Sequence, residues 1–340
     1  MESKEKNYST SPQSLLKVSF PLMLSSVSLS LMIITDRLML AYYSPFEMNA
    51  AASAGIVSFT IVFSMMSIAT ICEVFVGQLN GSNKKHQCAQ PAWQMIIFSL
   101  LCSLLFVPIG IWGYEYLVPP KYLDASRIYF QLYLYFGVFA VMTAALNGFF
   151  AGIGKTKIIS VAMIGGHVLK IIISYVLIFG HQDWIAPMGI DGAAISNAVA
   201  EVFSVFVLWC AFLSKENRQC FYTHKPVWVP KSFKQCLKVG YPNAMAHTLE
   251  LAAWSVIFHI ASYASSDHVT VLVMGQNIFI LFTCIADGLS KGVTAITSNL
   301  IGARKESKIH MVFSKALQIQ ICVMICFALP LIWFPEYLAD

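Results

Sequence analysis

The sequence predicts an all-α, polytopic membrane protein: a parallel duplication of six-helix lobes in which the second lobe stops after three helices. Three observations lead there. Of 340 residues, 57% are hydrophobic and 11% charged, with a mean hydropathy of +0.68, whereas soluble domains carry roughly 25% charged residues; a soluble enzyme is excluded. A membrane helix needs about 20 mainly apolar residues, and nine such stretches run at 14–42, 51–77, 92–113, 127–151, 157–179, 191–214, 235–263, 270–298 and 311–334. The chain also repeats itself. LKVSFP at 16–21 returns as LKVGYP at 237–242, and IWGYEYL at 111–117 as IWFPEYL at 332–338, both displaced by 221 residues. Leu79, Gly81 and Lys84 match Leu300, Gly302 and Lys305 at the same offset, and one gap-free displacement of this kind marks a duplication.

Charge orients the chain. A formal net charge of +5 would suit a nucleic-acid binder only if the basic residues gathered on one solvated face. They alternate by loop instead: Lys4 and Lys6, Lys84 and Lys85, Lys155 and Lys157, the group Lys215, Arg218, Lys225, Lys231 and Lys234, and Arg304, Lys305 and Lys308 all adjoin an even number of spans. The other loops hold only Lys121 and Arg127. The positive-inside rule puts the N-terminus in the cytoplasm and, after nine crossings, Asp340 on the far side of a plasma (inner) membrane. Residues 1–13 form a cytoplasmic tail with no signal-peptide cleavage pattern. Then follow a first lobe, 14–214, a cytoplasmic linker, 215–232, and a partial second lobe, 233–340. Six spans return the chain to its starting side, so the two units are parallel, as in several transporter folds. A second unit of full length would end about 95 residues beyond Asp340, so the expectation is three missing helices and no transport by these residues alone.

In order along the chain, the spans carry polar groups that lipid does not hydrate. The first holds Asp36 and Arg37, and the second holds Glu73 near its cytoplasmic end. The fourth ends in a turn whose GIGKT, 152–156, looks like the tail of a phosphate-binding loop. Phe149 stands where the first glycine belongs, however, and a helix precedes it, so a short basic turn is expected. On the fifth span His167, Lys170 and Ser174 follow i, i+3, i+7; on the sixth Asn197, Glu201 and Ser204 follow i, i+4, i+7. His247, Glu250 and Trp254 make a third stripe on the seventh, and Asp287 with Lys291 an i,i+4 pair on the eighth. Each charge at the bilayer centre costs about 2.5–3.5 kcal/mol, so such stripes face a bundle interior or a wet cavity. Interhelical hydrogen bonding, at about 0.6 kcal/mol per bond, is the plainer reading for His167 and His247 taken singly. Nine cysteines with no ligand spacing support neither disulfides nor a zinc or other metal site, and read as small apolar fillers. Glu250 maps onto Leu29, two turns before Asp36 on the same face, so each lobe carries one deep acid on its first helix. An acid that binds and releases a cation or proton in a cavity is what coupling to an ion gradient needs.

LKVSFPLML leading into Asp36, VGQLNGS at 76–82, FFAGIGKTK at 149–157, MGIDGAAIS at 188–196, LKVGYP followed by Glu250, and GQN at 275–277 together resemble the multidrug and toxic compound extrusion (MATE) transporters. The resemblance implies a twelve-helix, two-lobed antiporter that exports cationic, amphipathic drugs or metabolites in exchange for H⁺ or Na⁺, with no other cofactor and with lipid as its surroundings. It implies roles as well. Asp36 stands at the N-lobe cation or proton acid, Pro21 at a proline where the first helix bends, and Tyr129 and Ser196 at the tyrosine and threonine of the same network. Glu250 stands at the C-lobe acid, while Asn197, Glu201, Trp254 and Gln276 are cavity candidates. Lys170 and Ser174 depart from the asparagine and the asparagine or aspartate usual in the family, and the partner acid on a tenth helix is absent.

A flippase for a lipid-linked precursor of the same superfamily would share helix number and duplication, but would be expected to line its cavity with more Arg and Lys. A truncated, non-transporting copy is the third reading. Lys170 has two destinations: it snorkels to the cytoplasmic interface, or it pairs with Asp36, stands in for the coupling cation and makes N-lobe coupling proton-based.

Overall fold

The computed structural model describes residues 12–181, 184–264 and 266–333, apart from many side chains between 255 and 282 and those from 327 onward. The expected tail at 1–13 falls almost wholly outside the described residues, as do the side chains of Gln276 and Trp333.

The chain is helical almost throughout, as its apolar runs require once backbone groups in lipid must bond within their own segment. The elements are α1 (Pro12–Tyr43), α2 (Pro45–Ala69), α3 (Cys72–Gly81), α4 (Ala89–Pro108), α5 (Tyr114–Leu117), α6 (Leu123–Gly152), α7 (Thr156–Phe179), α8 (Gly189–Phe212), α9 (Lys215–Phe221), α10 (Pro230–Ala264), α11 (Ser266–Gly302) and α12 (Ile309–Trp333). Seven segments of the described chain are long and apolar enough to cross a membrane. The expected seventh and eighth spans fall in α10 and α11, helices of 35 and 37 residues. Several spans run past their apolar stretches. The second extends from Pro45 to Gly81 and is interrupted at Thr70–Ile71. There the Thr70 hydroxyl donates back to the Ser67 carbonyl at 2.8 Å, competing with the helical ladder.

Element boundaries repeat at the offset read from the sequence. Tyr43 and Ala264 end α1 and α10, Pro45 and Ser266 begin α2 and α11, and Gly81 and Gly302 end α3 and α11. Asn83 and Arg304, again 221 apart, take left-handed backbone at φ 59° and 57°, and a 3₁₀ turn follows each, at Lys85–Gln87 and Glu306–Lys308. The repeats pack crosswise, α1 along α11 and α2 along α10.

The main core belongs to the first repeat. With 78% of its apolar window buried, against 39% or less for every other span, α6 is the central helix. Phe130, Phe149 and Phe150 on it, Phe106 on α4 and Phe212 on α8 are fully enclosed. The polar linker is tied beneath this core rather than free. Lys155 of the basic turn pairs with Glu216 at 2.7 Å and donates to Asn217 at 3.2 Å, while Trp93 and Gln94 of α4 donate to the carbonyls of Thr223 and Val227. Lys155 is thus a linker anchor. The filler reading of the cysteines holds for Cys72, Cys88, Cys102, Cys236 and Cys284, which are buried; Cys210, Cys220, Cys322 and Cys326 are exposed, and the reading is corrected there.

Candidate coupling site

The fifth span is polar inside and apolar outside. On α7, His167, Lys170 and Ser174 are buried at 7%, 4% and 0% exposure, while Val168, Ile172 and Tyr175 face outward at 50% or more. This inversion follows from lipid: apolar side chains are cheapest outside, so the polar stripe turns to α1.

The facing stripe lies on α1, and the two make a ladder. At its lower end stands Pro21, inside the unbroken α1, where its missing N–H removes one bond of the helical ladder. Its carbonyl accepts from the hydroxyls of Ser25, at 2.9 Å, and of Ser160 on α7, at 2.5 Å. Higher up, Ser28 bonds to His167 Nδ1. At the top the Lys170 ammonium contacts the Asp36 carboxylate directly. Ser174 donates to the other carboxylate oxygen of Asp36 at 3.3 Å and bonds to Ser196 of α8 at 2.6 Å. The side chains of Lys170 and Asp36 are 6% and 17% exposed, so solvent reaches the acid more readily than the amine. Of the two destinations open to Lys170, the structure shows the pair with Asp36.

The remaining first-lobe candidates lie around this pair. Tyr129 on α6 sits within electrostatic reach of Asp36, with its hydroxyl facing Gly55 of α2, and stands 6.2 Å from Tyr133 ring to ring. Glu201 on α8 is within electrostatic reach of both Lys170 and Tyr133. Asn197 is one turn before it and half-buried.

The second-repeat candidates form a separate group. Glu250 stands 3.5 Å from His247, with its side chain 51% exposed. The His247 ring meets Phe63 of α2 edge-on at 5.4 Å, and Thr248 bonds to Ser64 at 2.7 Å. Trp254 packs on Phe279 at 5.5 Å. Glu73 is buried, with Oε1 lacking a hydrogen-bond partner in the structure and with Lys291 of α11 in electrostatic reach. Among the described residues no group of three potential ligands could hold a metal ion.

Sequence reasoning missed Ser25, Ser28 and Ser160. Ser25, Ser28, Met32 and Asp36 share one face of α1, and that spacing was the available signal. It also missed Glu47. Its carboxylate accepts from the Ile190 N–H at 2.7 Å, capping α8 from another helix. Gly189 is required there twice over: its φ is +53°, and a Cβ would overlap the Glu47 carboxylate.

A duplicated bundle of apolar helices, with a buried ion pair on the wall between its first, fifth and sixth spans, defines an integral membrane protein of the transporter class rather than an enzyme. A family model described as MatE matches residues 21–176 and 244–340, and the chain belongs to that family. Among its relatives, the probable multidrug resistance protein NorM of Bacillus cereus (strain ATCC 10987 / NRS 248) is 22% identical over 328 residues, 94% of this chain and 72% of that protein. The protein of the same description from Neisseria meningitidis serogroup B is 22% identical over 93% of this chain and 70% of its own length. An outward-facing MATE multidrug resistance transporter of the MOP superfamily superposes with a TM-score of 0.86 at 18% identity, covering 96% of this chain and 74% of that one. A MOP superfamily transporter from Pyrococcus furiosus, described as having a binding pocket of reverse polarity that suggests a different function, gives 0.82 at 17% identity over 98% and 76%. At these identities the structural likeness speaks to fold.

Proposed function

We propose that the protein is a secondary active antiporter of the plasma (inner) membrane, N-terminus in the cytoplasm, that exports cationic, amphipathic drugs or metabolites and is coupled to protons at Asp36. The export reading is supported by the family and by relatives described as multidrug resistance proteins. The orientation rests on the loop charges.

The coupling ion rests on one observation, the Lys170 ammonium in contact with Asp36. A carboxylate in a poorly hydrated site holds Na⁺ only if the ion finds it vacant and anionic. Here a tethered cation with 4% exposure already occupies that place. A proton, by contrast, neutralises Asp36 and releases Lys170, so each cycle trades the ammonium for H⁺ with no inorganic ion bound. Ser174 and Ser196 supply neutral hydroxyls that hold the carboxylate in either form. Glu250, with His247 beside it, is the proposed second-lobe acid.

The test is ethidium export by everted vesicles carrying the transporter. An imposed pH gradient should drive it, and an equal Na⁺ gradient at constant pH should not. Export that follows Na⁺ alone refutes the coupling; no export under either gradient refutes the antiporter.

A further inference from the structure

The register of α7 against α8 sets a further carboxylate beside the ion pair. Ser174 bonds to Ser196 at 2.6 Å. About two turns away, Gly166 lies so close to Ser204 that a Cβ would overlap its hydroxyl. The helices therefore run antiparallel, and Lys170, midway between Gly166 and Ser174, comes level with Ala200 and Glu201, midway between Ser196 and Ser204. Glu201 is half-buried on an apolar helix, where an ionised side chain needs a partner. It makes no hydrogen bond to any described residue, and the ammonium of Lys170 is in its electrostatic reach.

Proton balance shows what such a carboxylate is for. With a proton on Asp36, the ammonium of Lys170, 4% exposed, loses the anion it touches. A buried lysine left alone sheds its own proton. One proton on the acid and one off the amine leave the site with no net gain, and a proton gradient then has nothing to drive. A net proton is bound only if Lys170 stays charged while Asp36 is neutral, which requires another anion within reach. The titratable and charged groups around the pair are Arg37 of α1, Tyr129 and Tyr133 of α6, His167 of α7 and Glu201 of α8. Arg37 and His167 are bases, and tyrosine becomes an anion only near about pH 10. Among these described groups Glu201 alone is a carboxylate.

We propose that Glu201 is the alternate counter-ion of Lys170: when a proton neutralises Asp36, the ammonium turns to Glu201 and keeps its charge. The inference rests on proton coupling at Asp36. At rest the site holds two carboxylates and one ammonium, one net negative charge; loaded, one carboxylate carries the proton and the site is neutral, so one proton is gained. The flexible four-carbon stem of lysine carries the charge between the two acids. Glu201 is the weaker partner, in reach of the amine rather than in contact with it, so the ammonium returns to Asp36 when the proton leaves. Glu201 is thus a positioning residue that acts through Lys170, distinct from a cavity acid that would hold a cationic substrate itself.

The test reads the charge on Lys170 and does not depend on transport. The detergent-solubilised chain is treated with acetic anhydride, which reacts with neutral amines, across a range of pH, and acetylation of Lys170 is read by peptide mass spectrometry. Asp36→Asn imitates the protonated acid. In that variant Glu201 should hold Lys170 charged, and adding Glu201→Gln should raise its acetylation rate at neutral pH about tenfold or more and start it at lower pH, the lower end of the effect of an adjacent opposite charge. Adding Glu201→Asp instead, which keeps the anion, should keep most of the protection. Glu201→Gln alone should label like the unmodified chain, because Asp36 still holds the amine. If acetylation in Asp36→Asn is unchanged by Glu201→Gln, with each protein monodisperse, the proposal is overturned. Labelling of Asp36→Asn with Glu201→Asp as fast as of the double amide variant overturns it too. Ethidium export is scored separately, so a failed counter-ion and a failed antiporter are told apart.

Discussion

Lys170 and Asp36 constrain each other because neither tolerates being left alone. Removing one partner of a buried ion pair leaves an uncompensated charge at a cost of about 3–5 kcal/mol, whereas replacing both by apolar groups is often neutral. Asp36→Asn should therefore lower the detergent-solubilised protein's thermal midpoint strongly, and Asp36→Asn with Lys170→Met should recover most of the loss while leaving export absent. Equal destabilisation of single and double variants in a melting series would show that the pair carries no net interaction. These residues were legible in the sequence, because a charged or polar side chain every third or fourth position of an apolar helix has to find protein or water. Their partners were less so: serines are neutral enough for lipid-facing positions, and nothing in Ser28 alone says that it meets His167.

At the scale of elements, composition and the repeat carried most of the reading. The apolar spans of the described residues and the turns that match at one constant offset follow from hydropathy and the repeat. The break at Thr70–Ile71 and the packed linker do not, since both depend on distant contacts. Glu47 shows the limit best. It lies in the first turn of α2, where an acid already suits the helix dipole, so the sequence gives no hint that it caps α8. Losing a charge-assisted bond to a backbone N–H costs about 1.5–3 kcal/mol. Glu47→Ala should therefore lower the midpoint by several degrees, and Glu47→Gln, which keeps an acceptor, by clearly less. A midpoint unmoved by Glu47→Ala would show that water satisfies Ile190 equally well.

At the scale of the molecule, the two repeats pack crosswise, and the ion pair sits in the first repeat. The second acid, Glu250, is on α10 beside His247, whose ring meets Phe63 of α2. Glu250→Gln should lower export, because a neutral amide neither exchanges a proton nor holds a cation as a carboxylate does; unchanged ethidium export would remove it from the coupling. The transporter class was legible only through residues read together, since no single stripe separates coupling from interhelical hydrogen bonding. That distinction turns on who occupies Asp36. The direct measurement is equilibrium binding of ²²Na⁺ to the purified chain at pH 8, with Asp36→Asn and Lys170→Asn beside it. With Lys170 as the resident cation, the unmodified chain should show no saturable Na⁺ binding that depends on Asp36, and Lys170→Asn should create it. Saturable Na⁺ binding by the unmodified chain that Asp36→Asn abolishes would contradict the assignment.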